Sequence, residues 1–413
     1  MTAPPSHVVV VGASLAGLHA VRGLRRRGFS GRIVLVGAEH YRPYDRPPLS
    51  KEFLWGRAEP TPYLIDEQDW DALDVDARLG VTATSVDRHS RRVALGDEDL
   101  SYDALVIATG LKARQLPGRT LPGVHTLRGV GDARNIREAF DRATRLVVVG
   151  AGFIGAEVAS AARRLGVHTT ILEAAATPLR DAVGPTAGAA LARLHARHGV
   201  ELHCDTAVSE ILGGDRVAGL RLADGSQLAA DLVVVGIGAI PETDWLAGSG
   251  LDLNDGVLCD ATLKAADGVW AAGDIARWPN PTFGTTMRLE HWTNAMQQGD
   301  HVAANLLDPE HATEFAEVPY FWSQWYSQFI QCVGMPIGEP ALVVGEHHEH
   351  GVDLAPHALR DAGGVVHQPC DLIEKPAGRL GHARSPARSD LAKIWPVIRA
   401  PQDTPPAITA FRG

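Results

Sequence analysis

Two glycine turns carry most of the chemistry that residue type and spacing can suggest in this chain. Gly12-Ala13-Ser14-Leu15-Ala16-Gly17 and Gly150-Ala151-Gly152-Phe153-Ile154-Gly155 each follow a valine-rich run and precede a helix-like stretch. A dinucleotide fingerprint needs one glycine for the tight turn, one for close approach of the pyrophosphate and one for helix–strand packing. The second turn has all three. In the first, Ser14 occupies the middle place; its Cβ crowds a phosphate, while its hydroxyl offers a donor. Each turn opens a helix, whose free N–H groups and positive dipole end favour an anion. An acid about 20 residues on is expected to bind a ribose hydroxyl. Glu39 and Glu173 stand there. A carboxylate accepts from a 2′-hydroxyl and repels a 2′-phosphate, so Glu173 favours NAD over NADP. For the first turn, a plain structural turn with a surface glutamate remains the alternative.

These turns need strands and helices to hold them. Val8–Val11 is a continuous β-branched run, the pattern of a strand buried on both faces. A helix is expected over Leu18–Arg27, stopped by Gly28, followed by a strand over Arg32–Val36. The pattern repeats as strand Leu146–Val149, helix Ala156–Leu165, stop Gly166 and strand Thr169–Leu172. Leu105–Gly110, ending in Thr-Gly, Leu232–Val235 and the piece Val269–Asp274 read as further strands. Leu232–Val235 runs into Gly236 and Gly238, which suit close backbone approach to a cofactor. Val269–Asp274 ends in Gly-Asp. The expected class is α/β, with two doubly wound, Rossmann-like units and parallel sheets. Two dinucleotide sites on one chain suggest FAD plus NAD, because a flavin accepts a hydride from nicotinamide. It also takes electrons in a pair and releases them singly.

With 413 residues, the chain can hold two or three domains. Its formal charge of −10 speaks against a general nucleic-acid binder. Arg22, Arg25, Arg26 and Arg27 cluster on one expected helix and read as a solvated face. No apolar run nears the roughly 18–20 residues of a membrane span. Absence of a recognisable leader and four scattered cysteines suggest the cytoplasm. With no C-x-x-C, neither a redox disulfide nor a zinc ribbon is expected.

Beyond the turns, Tyr44-Asp45-Arg46-Pro47-Pro48-Leu49-Ser50-Lys51, Ala108-Thr109-Gly110, His125–Arg128, Ala272-Gly273-Asp274, Glu290–Gln298 and Pro319-Tyr320-Phe321-Trp322-Ser323 complete a set. With these segments the chain resembles the FAD-dependent NADH:ferredoxin reductases of putidaredoxin reductase type, over residues 7 to about 340. The resemblance implies a glutathione-reductase-like architecture. The FAD domain would comprise residues 1–112 and 243–320, the NAD domain 113–242, and a small α+β C-terminal interface domain 321–413. It implies hydride transfer from NADH to FAD and single-electron transfer to a 2Fe–2S ferredoxin serving a cytochrome P450 or ring-hydroxylating dioxygenase. Oligomeric state is left open.

On the flavin side the resemblance implies contacts from Gly12, Ser14, Ala16, Gly17, Glu39, Ala83, Arg128, Gly273 and Asp274, for which a capping role is the alternative, while Arg46 either contacts FAD or only braces its loop. Lys51 would lie near the isoalloxazine ring, with Trp292 and Trp322 beside it; for both tryptophans a core role is the alternative. On the NAD side it implies Gly150, Gly152, Ile154, Gly155, Glu173, Gly236 and Gly238, with Glu157 facing the nicotinamide. A glutamate in the first turn of a helix is also favoured simply by the dipole. Lys51 and Glu157 are the candidate catalytic pair.

The chain departs from the family at Ser14, at Ala38 and at Gln324-Trp325, where Asp-Gln frequently follows Phe-Trp-Ser. After about Leu342 the family's alternating sheet pattern is lost among Pro, Gly, Arg and His, which predicts few regular strands over 345–413. An NADH oxidase or rubredoxin reductase on the same fold is an alternative, as is a FAD/NAD-binding redox sensor with little turnover.

Overall fold

The computed structural model describes residues 5–56, 61–326, 328–335, 341–344 and 364–369. Its centre is strand His7–Val11, whose four valines are completely or almost completely buried. It lies within a six-stranded sheet, ordered Lys264–Ala266, Val269–Ala271, Ala104–Ile107, His7–Val11, Arg32–Gly37, Asp76–Leu79. All neighbours are parallel except at the Lys264–Ala266 edge. Helix Leu15–Arg26 covers one face and packs on helix Trp292–Leu307.

A second sheet is wholly parallel, ordered Glu201–His203, His168–Leu172, Arg145–Val149, Leu232–Val235, Val124–Thr126. Between the two sheets the chain crosses out along Leu111–Ala113 and back along Ala239–Pro241, which pair antiparallel. The pairing gives the crossing's backbone groups partners where neither sheet reaches them.

The third element is a four-stranded sheet, ordered Tyr320–Trp325, Gln328–Val333, Gly364–Pro369, Ala341–Val344. Its first strand packs on helices Phe153–Arg164 and Arg180–Arg197 through Phe321 and Trp325. Strand Gly364–Pro369 lies in the stretch whose sequence shows no strand pattern. It pairs antiparallel with Gln328–Val333 and parallel with Ala341–Val344, and such non-local pairing outweighs a weak local signal. Residues 345–363 and 370–413, with most of the histidine-rich stretch and Cys370, lie outside the described residues.

Two readings need correction. Both site helices start three residues earlier than expected, at Leu15 and Phe153, directly after Ser14 and Gly152. The last residues of each glycine turn therefore already form helix. The arginines near the end of helix Leu15–Arg26 are also not simply a solvated face. Arg25 donates to the carbonyls of Leu73, Phe29, Gly31 and Asp74 at 2.6–2.9 Å, while Arg26 and Arg27 both pair with Asp300 of helix Trp292–Leu307.

Candidate active site

Gly12 ends the first strand at φ +121°, and a Cβ there would stand 2.1 Å from the Ala108 carbonyl oxygen. A Cβ at Gly17 would stand 1.9 Å from the oxygen of Gly12. Neither place tolerates a side chain, so both glycines are demanded by the protein's own packing. Ser14 is extended, at φ −123°, and its side chain makes no capping bond. Its hydroxyl is not committed to the helix's amides. Ala16 packs under Gly273: a Cβ on Gly273 would approach that of Ala16 to 2.9 Å.

Around this turn the polar residues expected from sequence form one chain of contacts. Glu39 accepts from the Tyr44 hydroxyl at 2.5 Å and pairs with Arg46 at 2.6 Å. Arg46 also donates to the Arg128 carbonyl at 2.6 Å, and Arg128 reaches Asp274 at 3.3 Å. Burial, and then the charge of Arg46, lowers the Arg128 pKa. Each cation is matched by a carboxylate, so the four side chains form a charge-balanced, partly buried network. Ala83 stands apart from this chain, buried in the core of the same lobe.

The second turn repeats the plan. Gly150, at φ +101°, leaves 2.3 Å between a would-be Cβ and the Gly236 oxygen, and Gly155 leaves 2.0 Å to the oxygen of Gly150. Gly152 differs: its Cβ would meet only the Gly236 oxygen, at 3.8 Å. That side of the turn is open, as a cradle for pyrophosphate requires. Glu173 reaches back to it, accepting from the Ala151 N–H at 2.7 Å and the Ala175 N–H at 2.8 Å. Gly238 sits beyond at φ +92°, and Ile154 is 39% exposed at the helix start. The residues of both turns thus fit dinucleotides in shape and donor chemistry.

Lys51 and Glu157 meet where the two lobes join, Nζ to Oε2 at 2.8 Å. Lys51 also donates to the Pro47 carbonyl at 3.1 Å. Because helix Phe153–Arg164 starts early, Glu157 lies beyond its first turn and is only 4% exposed. The dipole explanation for this glutamate therefore fails, and specific donors hold it instead. Ser50 Oγ donates to Oε2 at 2.5 Å and Ser323 Oγ to Oε1 at 2.6 Å. Nearby, Trp292 donates its indole N–H to Asp45 at 2.8 Å and meets Trp322 edge to face, centroids 5.8 Å apart. Neither tryptophan is fully buried, unlike Trp278 and Trp325.

The family model described as pyridine nucleotide-disulphide oxidoreductase matches residues 6–299. The chain belongs to that family. Its curated relatives place it in the ferredoxin reductase branch, of putidaredoxin reductase type. It is 37% identical to rhodocoxin reductase of Rhodococcus erythropolis, over 84% of this chain and 82% of that protein. It is 38% identical to the ferredoxin–NAD(+) reductase component of the anthranilate 1,2-dioxygenase system of Burkholderia cepacia, over 84% and 86%. Among solved structures, the covalent putidaredoxin reductase–putidaredoxin complex matches with a TM-score of 0.77 and 33% identity, over 81% of this chain and 82% of that one.

This flavoprotein oxidoreductase thus carries a family name that includes disulphide chemistry, yet its described thiols are poorly suited to it. Burial pushes the pKa of both Cys259 and Cys332 up to about 12, and that of Cys204 upward, with Glu173 adding to the last. A protonated thiol is a poor nucleophile. Among the described residues no helix is long and apolar enough to cross a membrane, and no cluster could hold a metal ion. A cavity of about 460 Å³ lies at the opposite end of the second sheet, where its strands begin, lined by His125, Asn135, Arg142, Arg216 and Asp231 among others. None of the candidate residues lines it.

Sequence reasoning missed Ser50, Ser323 and Asp45 as site residues. All three sit inside the segments that carried the resemblance, next to or near Lys51, Trp322 and Arg46. Membership of those segments was the available signal.

Proposed function

We propose that this protein is the NADH-dependent reductase of a ferredoxin-linked oxygenase system. It draws a hydride from NADH and delivers single electrons to a 2Fe–2S ferredoxin that serves a cytochrome P450 or ring-hydroxylating dioxygenase. Bound FAD supplies the conversion, accepting electrons as a pair and releasing them one at a time. The observation that carries this reading is the Lys51–Glu157 pair, with Glu157 buried on the helix that opens from the second of two like glycine turns. The aligned ferredoxin–NAD(+) reductases of dioxygenase systems support the choice of acceptor and of NAD.

In this reading residues 1–112 and 243–320 form the FAD domain, 113–242 the NAD domain, and 321–413 the interface domain. Gly12, Ser14, Ala16 and Gly17 cradle the FAD pyrophosphate, and Glu39 takes the ribose. Arg46, Ala83, Arg128, Gly273 and Asp274 complete the grip. Lys51 presents its charge to the isoalloxazine ring, where a cation favours the reduced, anionic form. Trp292 and Trp322 wall the ring and keep water out.

Gly150, Gly152 and Gly155 hold the NADH pyrophosphate, Glu173 its adenosine 2′-hydroxyl, and Gly236, Gly238 and Ile154 line the approach. Glu157 orients the nicotinamide and anchors Lys51. The supply of NADH sets this activity in the cytoplasm. The purified protein should be yellow. Its flavin bands should bleach under anaerobic NADH and far less readily under NADPH, and a ferredoxin–cytochrome c assay should show turnover. A colourless protein that takes up no FAD would overturn the reading; a yellow protein that reduces no ferredoxin would favour the redox sensor.

A further inference from the structure

Glu157 is held by donors from two separate parts of the chain, distant from its own helix. Ser50 and Lys51 come from the segment between strands Arg32–Gly37 and Asp76–Leu79, Glu157 itself from helix Phe153–Arg164, and Ser323 from strand Tyr320–Trp325. Ser323 is fully buried, and behind it Trp325, also fully buried, donates its indole N–H to the Ser323 hydroxyl at 2.9 Å. The Trp325 ring is in turn stacked on His195, centroids 5.1 Å apart.

We infer that Ser323, aligned by Trp325, is a positioning residue that sets where Lys51 places its charge; this rests on the proposed location of Lys51 beside the flavin. An indole N–H is a donor only, and a serine hydroxyl has one proton. Trp325 therefore occupies a lone pair of Ser323 and turns the hydroxyl proton toward Glu157 Oε1. With Oε1 satisfied by Ser323, the carboxylate offers Oε2 to Ser50 and Lys51. Lys51 spends one N–H on Oε2 and one on the Pro47 carbonyl, and keeps a third for the ring. Without Ser323, Oε1 loses its donor and is left a buried acceptor, and the Lys51 ammonium, already bonded to Oε2 of the same carboxylate, is the cation drawn to it. The ammonium then turns toward Glu157 and away from the flavin. The C-terminal sheet thus sets the flavin's electrostatics through one hydroxyl, although none of its own charges need approach the ring.

The test equilibrates the FAD-loaded protein with a reference redox dye and reads the ratio of reduced to oxidised flavin, with flavin content and melting temperature as controls. Ser323→Ala should lower that ratio about tenfold at equal dye poise, the size of one hydrogen bond to a charged group. Ser323→Thr, which keeps the hydroxyl, should restore it. Trp325→Phe should shift it in the same direction by less, and serves if Ser323→Ala does not fold. A wild-type protein that bleaches with NADH beside Ser323→Ala and Trp325→Phe variants with unchanged ratios overturns the inference alone. A wild-type protein that binds no flavin overturns the functional reading, and this inference with it.

Discussion

The turns Gly12–Gly17 and Gly150–Gly155 share their outer glycines for one reason and differ in the middle for another. At the outer places a Cβ would collide with the protein's own carbonyls at 1.9–2.3 Å, so glycine is required whether or not a cofactor is present. At the middle places the backbone is ordinary extended chain, φ −123° at Ser14 and −74° at Gly152, which any residue adopts. The two acids diverge as well. Glu39 is held by the side chains of Tyr44 and Arg46, whereas Glu173 closes on the backbone of its own turn. The outer positions of the fingerprint therefore belong to folding, whereas the middle position is left free of packing constraints and each acid is tied to its own surroundings.

The largest effect should follow from breaking the shared part. Gly12→Ala and Gly150→Ala each force a side chain to positive φ against a carbonyl, costing about 5 kcal/mol or more. Denaturant melts should show it, with Gly12→Ala losing flavin and Gly150→Ala losing NADH binding first. Next comes the join between the lobes. Lys51→Ala leaves the Glu157 carboxylate buried without its cation, which should cost about 3–5 kcal/mol in the same melts and slow NADH-driven flavin reduction in stopped flow.

Acid should act on both lobes by a similar mechanism. Burial lowers the pKa of His195, under the C-terminal sheet, and of His291, at the start of helix Trp292–Leu307, to about 4 each. The folded protein keeps both neutral, while the unfolded chain protonates them near 6.5. Their contribution is therefore complete above pH 6.5 and is lost as pH falls from 6.5 through 4. It amounts to about 3 kcal/mol per histidine. Stability measured across that range should fall more shallowly in His195→Gln. The smallest effect should come from exchanging the middle residues. Gly152→Ser should raise the KM for NADH about tenfold with an unchanged melting temperature, and Ser14→Gly should alter stability by less than about 1 kcal/mol. A large loss of stability in Gly152→Ser would erase the distinction between the two parts of the fingerprint.

The central strands were legible because a run such as Val8–Val11 or Leu232–Val235 can only be satisfied by burial on both faces. The turns were legible because glycines at that spacing, between a buried strand and a helix, mark a chain that must turn tightly and pack closely. Helix starts were misjudged because glycine-rich turns pass directly into helix. The arginine cluster was misjudged because composition does not reveal the Leu73, Asp74 and Asp300 partners of Arg25, Arg26 and Arg27. Strand Gly364–Pro369 was missed because its partners lie far along the chain and its own pattern is short.

Taken by itself, the amino-acid order determined two parallel-sheet units, two glycine turns of dinucleotide-fingerprint spacing, the acids that follow them, and the absence of a paired-thiol motif. Those are local properties, written in the period and identity of neighbouring residues. Only the folded chain decided that Ser50, Lys51, Glu157 and Ser323 share one carboxylate. A hydroxyl has no period and no composition signature, and its partner here lies 166 residues away. Contacts of that kind exist only once three separately folded surfaces have been brought together.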